Sequence, residues 1–336
     1  MIRKVRPERP TPRARALGRW FDRAARPLPW RGPRPDPYRI WVAEVILQQT
    51  RVEQAVPSYR RFVRRFPTLR ALARASRAEV LKAWQGMGYY ARARRLHRAA
   101  RHLVDARGGQ WPRTAEDLER LPGVGPYIAR AVAAQAFGEP VVALEANGLR
   151  VAARWTGERG RIDRPEVRTR LAATLAGEMI GQPPGRFAEA VMELGETVCT
   201  PRAPRCPACP VGRYCRLRTE GLDPGRIPAR RPRSRRPTHR GSIVALIRQG
   251  RYLLQRRPMD GLLGGLWEFP GGHRKGRERP EATARRELRE ETGLLAGPLQ
   301  HLGSIRHSYS HFSVELDLFR GPPKPLDVPT PPGRRW

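Results

Sequence analysis

The chain has 336 residues, which corresponds to about two domains and is long enough to bury a hydrophobic core without disulfides. Its 66 lysines and arginines outnumber its 31 aspartates and glutamates, so the formal net charge is +35. This excess argues against an enzyme for small neutral substrates and favours a polyanionic partner, most simply nucleic acid, although a compositional bias toward Arg, Ala and Pro would also raise the charge.

The first half of the sequence has the periodicity of helices. From Arg13 to about Ala190, segments rich in Ala, Leu and Arg carry apolar residues at three- and four-residue spacing, and Gly and Pro clusters separate them. We predict a mainly α-helical domain over residues 13–225, preceded by a disordered basic N-terminus at 1–12. No apolar stretch is long enough to span a membrane and the N-terminus lacks a secretory signal, so we expect a cytoplasmic protein with no membrane partner.

The second half has a different pattern. Residues 226–240 are basic and proline-rich, which favours a linker. Two short strand patterns then meet at Gln249-Gly250, and a Gly-rich loop leads into the helical pattern PEATARRELREE, so we predict a smaller α+β domain over 241–320. Residues 321–336 are rich in proline, and we expect a tail without a final strand or helix, which would leave the domain truncated.

The cysteines form the first candidate site. All four lie in one window with the spacing C-x6-C-x2-C-x5-C: Cys199, Cys206, Cys209 and Cys215. Such grouping is typical of a metal site, either tetrahedral zinc or a [4Fe–4S] cluster. The single C-x2-C pair favours the cluster, because structural zinc commonly uses two such pairs. Arg202 and Arg205 lie between the first two cysteines, where the loop could present them to phosphates.

A Gly-containing turn forms the second candidate site. The sequence Leu121-Pro122-Gly123-Val124-Gly125 opens an Ala-rich helical segment. Two glycines one residue apart permit a tight hairpin whose backbone N–H groups, together with the helix N-terminus, face an anion. A plain turn between two helices would have the same pattern, but the charge of the chain favours a hairpin that holds a DNA phosphate without reading sequence.

Two carboxylates in apolar surroundings form the third candidate site. Glu44 lies in the apolar run Ile40–Leu47, and Glu145 follows the Ala-rich segment. A carboxylate in such a run lies either on a solvated stripe or in a pocket, where desolvation raises its pKa and makes it a usable general acid. Cleavage of an N-glycosidic bond needs an acid for the leaving base and an anion for the cationic sugar, and this pair would supply both.

Read together, these motifs resemble the MutY family of adenine DNA glycosylases over residues 13 to about 320. The resemblance is carried by the cysteine spacing and by LPWR at 28–31, WVAEVILQQT at 41–50, GMGYYARARRLH at 86–97, LPGVGPYIA at 121–129 and FAEAVMELG at 187–195. It implies a two-lobed helix-hairpin-helix glycosylase domain with a [4Fe–4S] cluster, followed by a Nudix-like domain that reads the opposite base. The implied partner is double-stranded DNA with adenine opposite 8-oxoguanine or guanine, bound by a monomer.

The resemblance also implies roles for individual residues. The general acid and the residues around the sugar are Glu44, Glu145, Tyr127 and Asn147. The segments that contact DNA or insert where the base leaves the helix are Gln48, Gln49 and Tyr89, with the hairpin Gly123, Val124 and Gly125. Glu189 faces the adenine, and Arg31 lines its pocket.

Two positions carry further information about the reaction. Tyr127 stands where relatives of the endonuclease III group have a Schiff-base lysine, and a tyrosine cannot form that base, so we expect a monofunctional enzyme. Glu145 stands where the family has aspartate, and its extra methylene is expected to displace the carboxylate by about 1 Å unless the backbone retreats. The departure indicates either a tolerated variant or a slow or altered enzyme.

The second domain carries a complete Nudix box. From Gly272 to Leu294 the box places Glu287, Glu290 and Glu291 on one helix face, where Mg²⁺ or Mn²⁺ could bridge them to a diphosphate. This raises a second hypothesis, hydrolysis of an oxidised nucleoside triphosphate, and a third reading is a lesion-binding protein without catalysis. The resemblance also matches a loop that contacts 8-oxoguanine, whose core here is Tyr309, Ser310 and His311.

Overall fold

A computed structural model of the chain describes residues 9–229, 236–258, 263–309 and 312–336. They belong to two compact units, Met1–Arg231 and Pro232–Trp336. The first unit is helical, and the second combines short strands with one long helix, as the sequence predicts for an α domain followed by a smaller α+β domain. No described helix is long and apolar enough to cross a membrane.

The helices of the first unit follow one another with short connections. In chain order they are α1 (Pro12–Ala24), α2 (Pro37–Leu47), α3 (Val52–Arg65), α4 (Leu69–Arg74), α5 (Arg77–Ala83), α6 (Ala91–Arg107), α7 (Ala115–Glu119), α8 (Pro126–Phe137), α9 (Ala146–Thr156), α10 (Pro165–Met179), α11 (Pro184–Thr197) and α12 (Arg216–Thr219). Short 3₁₀ turns at Cys206–Ala208 and Gly212–Tyr214 lie between α11 and α12.

Two hydrophobic cores divide this unit into two lobes. Helices α2 to α8 enclose one core, in which Trp41 and Trp84 are fully buried. Helix α1 and helices α9 to α12 enclose the other core, around Leu17 and Trp155. The chain therefore starts in the second lobe, builds the first and returns at α9, which places α2 and α8 of one lobe opposite α9 and α11 of the other.

Local signals fix the helices that carry the candidate site. Asp36 caps α2 by accepting hydrogen bonds from the backbone N–H groups of Tyr38 and Arg39, and Pro37 occupies the first helical position, where its missing N–H costs nothing. Helix α8 begins at Pro126, directly after Gly125, and ends at Phe137, where Gly138 caps it with a φ of +70°. These caps set the ends of α2 and α8.

Strands of the second unit form one larger sheet and two small ones. They are β1 (Thr238–Arg248), β2 (Arg251–Tyr252), β3 (Leu254–Arg256), β4 (Trp267–Glu268), β5 (Gly271–His273), β6 (Leu295–Ala296), β7 (Gln300–Ser308), β8 (Ser313–Gly321), β9 (Pro323–Lys324) and β10 (Arg334–Arg335). The larger sheet has the order β2-β1-β8-β7, with β5 also on β1, and β1 and β8 are parallel. Helix α13 (Pro280–Thr292) packs on this sheet, and Leu288 and Phe319 lie in their shared core.

The end of the chain differs from the expected unpaired tail. Strand β9 pairs with β6, β10 pairs with β3, and Trp336 packs against the core with the Arg248 guanidinium 4.3 Å from its ring centroid. Val328, between the two strands, is buried. Two-residue strands are too short to show an alternating pattern, which is why the sequence did not reveal them.

The termini of the first unit also differ from expectation. Thr11 accepts a hydrogen bond from the backbone N–H of Ala14 and caps α1, so the last residues of the segment expected to be disordered are folded. At the expected linker, Ile227 is buried and accepts a hydrogen bond from Arg154, while Thr238 already belongs to β1. The segment that connects the two units is therefore shorter than the linker predicted at 226–240.

Candidate active site

A cavity of about 120 Å³ lies between the two lobes of the helical unit. Helices α2, α8, α9 and α11 contribute to its walls. The structure brings six of the residues singled out from the sequence to this cavity: Arg31, Glu44, Tyr127, Glu145, Asn147 and Glu189. The cavity therefore combines an acid candidate, a second carboxylate and polar groups suited to a planar base.

Glu44 lies on α2 with only 5% of its surface exposed. Its Oε2 accepts a hydrogen bond from the Tyr127 hydroxyl at 2.9 Å, and its Oε1 accepts one from Nε2 of Gln135 at 2.8 Å. Burial raises the pKa of Glu44, and the two hydrogen bonds, which favour the carboxylate, do not cancel this effect. A carboxyl group with a raised pKa is suited to carry a proton to a leaving group.

Glu145 lies at the N-cap position of α9 and lines the same cavity. Its Oε1 accepts a hydrogen bond from the backbone N–H of Gly148 at 2.7 Å, so the longer side chain curls back onto the helix N-terminus. Burial raises the pKa of Glu145, while backbone hydrogen bonds and the charge of Arg150 oppose the rise. This cap holds the carboxylate at the cavity despite the methylene that distinguishes it from aspartate.

Asn147 and Glu189 are held by arginines. Oδ1 of Asn147 accepts a hydrogen bond from Arg150 at 2.8 Å, and Oε1 of Glu189 accepts one from Nε of Arg31 at 3.0 Å. Burial raises the pKa of Glu189 although the charge and hydrogen bond of Arg31 oppose the rise. Both side chains are therefore fixed in orientation before any ligand enters.

Glu193 is a residue that the sequence analysis missed. It is 1% exposed, and its carboxylate binds Arg31 at 3.0 Å and Arg26 at 2.5 Å. Burial alone would raise the pKa of Glu193, but the hydrogen bonds and charges of the two arginines lower it. The available signal was its spacing of four residues from Glu189 on α11, which places both carboxylates on one helix face.

Gln135 is a second missed residue. It lies on α8, eight residues after Tyr127, so both side chains face α2. The single amide in the Ala-rich run 131–136 of α8 was the signal that could have identified it. Its contact with Glu44 completes the hydrogen bonding of the buried carboxyl group.

The hairpin residues Gly123, Val124 and Gly125 line a second cavity of about 260 Å³, together with Gln48 from the expected insertion residues. Gly123 has a φ of +78°, and a Cβ added there would lie 2.7 Å from Cβ of Arg95, so the turn requires glycine. Gln49 and Tyr89 also have positive φ values, of 60° and 47°. Left-handed conformations at two non-glycine residues indicate that packing imposes the shape of both loops.

Arg92 holds those two loops together and is itself 7% exposed. Its guanidinium donates hydrogen bonds to five backbone carbonyls, those of Val45, Ile46, Gln48, Met87 and Gly88. Its Cζ lies 5.6 Å from the ring centroid of Tyr89. Burial lowers the pKa of Arg92 to about 10. The side chain thus ties the segment that follows α2 to the loop before α6.

The four cysteines are free thiols that line one pocket in the second lobe, with apolar neighbours including Trp155 and Leu194. Nη1 of Arg154 lies 3.4 Å from Sγ of Cys199. Burial raises the pKa of Cys209 to about 11, and the charges of the other three thiols add to the rise. Among described residues, no three potential ligands converge as they would on a single metal ion. Arg202 and Arg205 are exposed in the loop after Cys199.

In the second unit, the glutamates of the Nudix box have partners within the protein. Arg286 binds the carboxylates of Glu278, Glu287 and Glu290, and Glu291 accepts a hydrogen bond from the backbone N–H of Gly271 at 2.8 Å. The described residues contain no group of three or more of these side chains arranged to hold an ion, so the Mg²⁺ site stays an expectation.

The expected base-reading loop follows β7. Tyr309 is the last residue of this loop that the structure describes before residues 310–311. Its ring centroid lies 4.6 Å from that of His307 and 4.9 Å from that of Phe312. Ser310 and His311 lie outside the described residues.

Comparisons with known proteins identify both units. Residues 42–176 match the model of the HhH-GPD superfamily of base excision DNA repair proteins, and residues 243–336 match the NUDIX domain. The chain is 35% identical to the human adenine DNA glycosylase, over 94% of this chain and 68% of that protein. It is 38% identical to the adenine DNA glycosylase of Mycobacterium tuberculosis, over 72% of this chain and 80% of that protein.

A solved structure supports the fold of the helical unit. A thermostable thymine-DNA glycosylase superposes with a TM-score of 0.54 at 26% identity, covering 62% of this chain and 95% of that one. The family match and the two relatives show that the chain is a glycosylase that hydrolyses N-glycosidic bonds in base excision DNA repair. The chain therefore belongs to the adenine DNA glycosylase family.

Proposed function

We propose that this protein removes adenine mispaired with 8-oxoguanine, or with guanine, from double-stranded DNA by monofunctional hydrolysis. The observation that carries the proposal is the buried carboxyl group of Glu44, whose pKa is raised, in a cavity that also contains Glu145. The names of the human and mycobacterial relatives support adenine as the base that is removed.

The two carboxyl groups divide the chemistry. Glu44 donates its proton to a ring nitrogen of the adenine, and the C1′–N9 bond breaks with its electron pair moving to the base. The sugar becomes an oxocarbenium ion, which the Glu145 carboxylate stabilises. Water then adds to C1′ and releases a proton, so that the products are free adenine and an abasic site. Asn147, held by Arg150, orients groups beside the sugar.

Arg31 and Glu189 are suited to recognise the base. Because Glu193 and Glu189 fix the Arg31 guanidinium from two sides, its remaining N–H groups have a defined direction. A planar base with both donor and acceptor edges matches a neighbouring guanidinium and carboxylate. We assign this pair to adenine selection.

Base flipping is assigned to the surface around Arg92. Gln48, Gln49 and Tyr89 lie in or next to the two segments that Arg92 ties together. The hairpin at 123–125 lines the 260 Å³ cavity, as Arg92 does. We assign the hairpin N–H groups to a DNA phosphate, and the Gln and Tyr side chains to the gap that the flipped base leaves. The exposed Arg202 and Arg205 are assigned to the DNA backbone as well.

The absence of an amine nucleophile supports hydrolysis without strand cleavage. None of the described residues that line the 120 Å³ cavity is a lysine, and Tyr127 donates its hydroxyl proton to a hydrogen bond with Glu44. A Schiff base with the sugar requires a primary amine. We therefore expect an intact abasic strand as the product.

The cysteine pocket fits a [4Fe–4S] cluster. Four thiols line one apolar pocket, and their sequence spacing, with a single C-x2-C pair, favours a cluster over structural zinc. Cys199, Cys206, Cys209 and Cys215 would hold the cluster, and its binding would deprotonate them. Bound there, the cluster would stabilise the loop that carries Arg202 and Arg205. Equal amounts of iron and acid-labile sulfide in purified protein, both lost in a Cys209→Ser variant, would support this assignment, whereas stoichiometric zinc would contradict it.

The second unit is assigned to reading the base opposite the adenine. Tyr309 and the aromatic rings next to it lie at the loop that resembles the 8-oxoguanine-reading segment of the family. Removal of residues 237–336 should therefore reduce the preference for 8-oxoguanine over guanine more than it reduces cleavage opposite guanine.

The proposed function is tested by single-turnover release of the base from a duplex with adenine opposite 8-oxoguanine. Duplexes with adenine opposite guanine, adenine opposite thymine and an oxidised pyrimidine are the controls, and strands are read with and without alkali. Strand cleavage only after alkali, fastest opposite 8-oxoguanine, supports the proposal. Cleavage without alkali would contradict monofunctional hydrolysis, and tight binding without release of adenine would contradict the activity.

A further inference from the structure

The three-stranded sheet β10-β3-β4 of the second unit carries a cationic face that the proposed glycosylase chemistry does not use. In this sheet, Arg256 is paired with Trp267 across β3 and β4, and Arg335 is paired with Leu254 across β10 and β3. Leu254 and Arg256 are two residues apart on β3 and therefore point to the same face. The strand register thus places Arg256, Arg335 and Trp267 side by side.

Both guanidinium groups contact the same indole ring. The Cζ atoms of Arg256 and Arg335 lie 5.5 Å and 5.3 Å from a ring centroid of Trp267, and 40% of the Trp267 surface is exposed. Cation–π contacts of this kind orient a guanidinium through its flat face. The N–H groups at its edge stay available for a ligand.

Neither of these arginines has an acidic partner within the described residues. The neighbouring Arg257 differs, because it pairs with Glu268. The cavity beside the ring measures about 640 Å³, and the described residues that line it are Gln255, Arg256, Trp267, Gly333, Arg334 and Arg335. Two cations fixed at one aromatic ring repel each other, and an anion between them would relieve that repulsion.

We propose that Arg256 and Arg335, aligned by Trp267, bind the phosphodiester backbone of DNA. A guanidinium edge matches the geometry of phosphate oxygens, and phosphate contacts position a protein on DNA without reading its sequence. DNA is favoured over a free nucleotide because the chain is a base excision repair glycosylase with a net charge of +35, and contacts to phosphates supply the salt-dependent part of duplex affinity.

The experiment compares duplex affinity at several salt concentrations. A fluorescently labelled, undamaged duplex is titrated with full-length wild-type protein, with an Arg256→Gln/Arg335→Gln double variant and with an Arg251→Gln/Arg320→Gln control. The control removes the same charge from β2 and β8 of the larger sheet, at two exposed arginines without aromatic partners. Equal melting temperatures of the three proteins establish that all are folded.

The Arg256→Gln/Arg335→Gln variant is expected to bind the duplex about tenfold more weakly at ~0.1 M salt, with a salt slope lower by about 1.8, since each lost phosphate contact removes about 0.9. The control is expected to keep the wild-type slope. A Trp267→Leu variant keeps both charges but loses their alignment. Its duplex affinity should lie between that of the Arg256→Gln/Arg335→Gln variant and that of the control. Single-turnover release of the base at saturating protein should stay unchanged in all variants, because none of these residues lines the 120 Å³ cavity.

The proposal is overturned if the Arg256→Gln/Arg335→Gln variant matches the control in affinity and slope. It is also overturned if this variant loses binding of inorganic pyrophosphate or dATP while its duplex affinity stays at the wild-type value, because the site then serves a free nucleotide. Failure of adenine release with normal duplex binding would count against the proposed function and leave this inference intact.

Discussion

The hydroxyl group of Tyr127 donates a hydrogen bond to Oε2 of Glu44 at 2.9 Å and thereby joins α8 to α2 inside the cavity. The Tyr127 pKa is raised well above its ordinary value by burial and by the charge of Glu44, so the hydroxyl keeps its proton. The hydrogen bond favours the carboxylate form of Glu44, whereas burial favours the acid form and prevails. This contact therefore helps to set the pH above which Glu44 loses its proton.

A Tyr127→Phe substitution should move the pH dependence of base release to higher pH. A general acid works in its protonated form, so the rate falls as pH rises through the pKa of Glu44. Loss of the Tyr127 hydrogen bond removes an interaction that lowers this pKa, and the falling limb moves upward. Single-turnover rates between about pH 5 and 9 measure the limb. Tyr38→Phe, which removes a buried hydroxyl bonded to the carbonyl of Phe66, is the control. A limb that moves downward would contradict the assigned role of Tyr127.

A Glu44→Gln substitution should reduce base release by at least about 10²-fold, because it removes the proton donor. At high pH, the same substitution should raise the stability of the protein relative to wild type. The pKa of Glu44 is raised in the folded state, so its contribution is fully present below its ordinary pKa of 4.5 and is lost as pH rises through the folded-state pKa. Glutamine does not ionise and lacks this loss. The melting temperature of the variant relative to that of the wild type should therefore rise from acid to alkaline pH. A relative rise on acidification would contradict burial as the cause.

Substitutions at Glu145 should separate the effect of its charge from that of its length. Glu145→Asp keeps the charge and the ability to cap α9, so base release should stay within about tenfold of wild type. Glu145→Gln removes the anion to which we assign stabilisation of the oxocarbenium ion, and release should fall by about 10²-fold or more. Single-turnover assays measure both. Equal losses in the two variants would show that geometry, rather than charge, limits the reaction.

The sequence singled out Glu44, Glu145 and the hairpin at 123–125 because each lies within a short motif of distinctive composition. It did not predict Gln135 or Glu193, whose roles depend on which helices meet. Gln135 reaches Glu44 on α2 only because α8 packs there, and Glu193 joins Arg26 and Arg31 from a helix far along the chain. No local pattern encodes such pairings, since periodicity reports the buried face of a helix without naming its neighbour.

The same limit explains the errors at the ends of the units. A proline-rich composition indicates a segment that cannot continue a regular strand or helix, and this holds for most of residues 321–336. It does not exclude pairs of residues that form short ladders with other segments, as Lys324 pairs with Leu295 and Arg334 pairs with Gln255. Such pairings arise from the tertiary position of the edge strand rather than from the tail itself.

An Arg92→Leu substitution should impair both stability and base flipping. It removes five hydrogen bonds to carbonyl groups, of which those to Val45, Ile46 and Met87 are buried, and this should lower the free energy of unfolding by about 3 kcal/mol. With the two loops no longer tied, release of adenine should fall more than duplex affinity does. Thermal unfolding measures the first effect, and fluorescence of 2-aminopurine opposite 8-oxoguanine measures flipping of the base.

Two further variants show whether Arg92 acts by positioning the loops. Arg98→Leu removes an exposed arginine from the same helix, and we expect wild-type flipping and stability. Arg92→Lys keeps the charge, but its ammonium group has three donors at one point and cannot reach both segments, so flipping should stay impaired while stability partly recovers. Full recovery of flipping in Arg92→Lys would show that the positive charge matters, rather than the geometry of the guanidinium N–H groups. In that case, contacts other than those of Arg92 would impose the left-handed conformations of Gln49 and Tyr89.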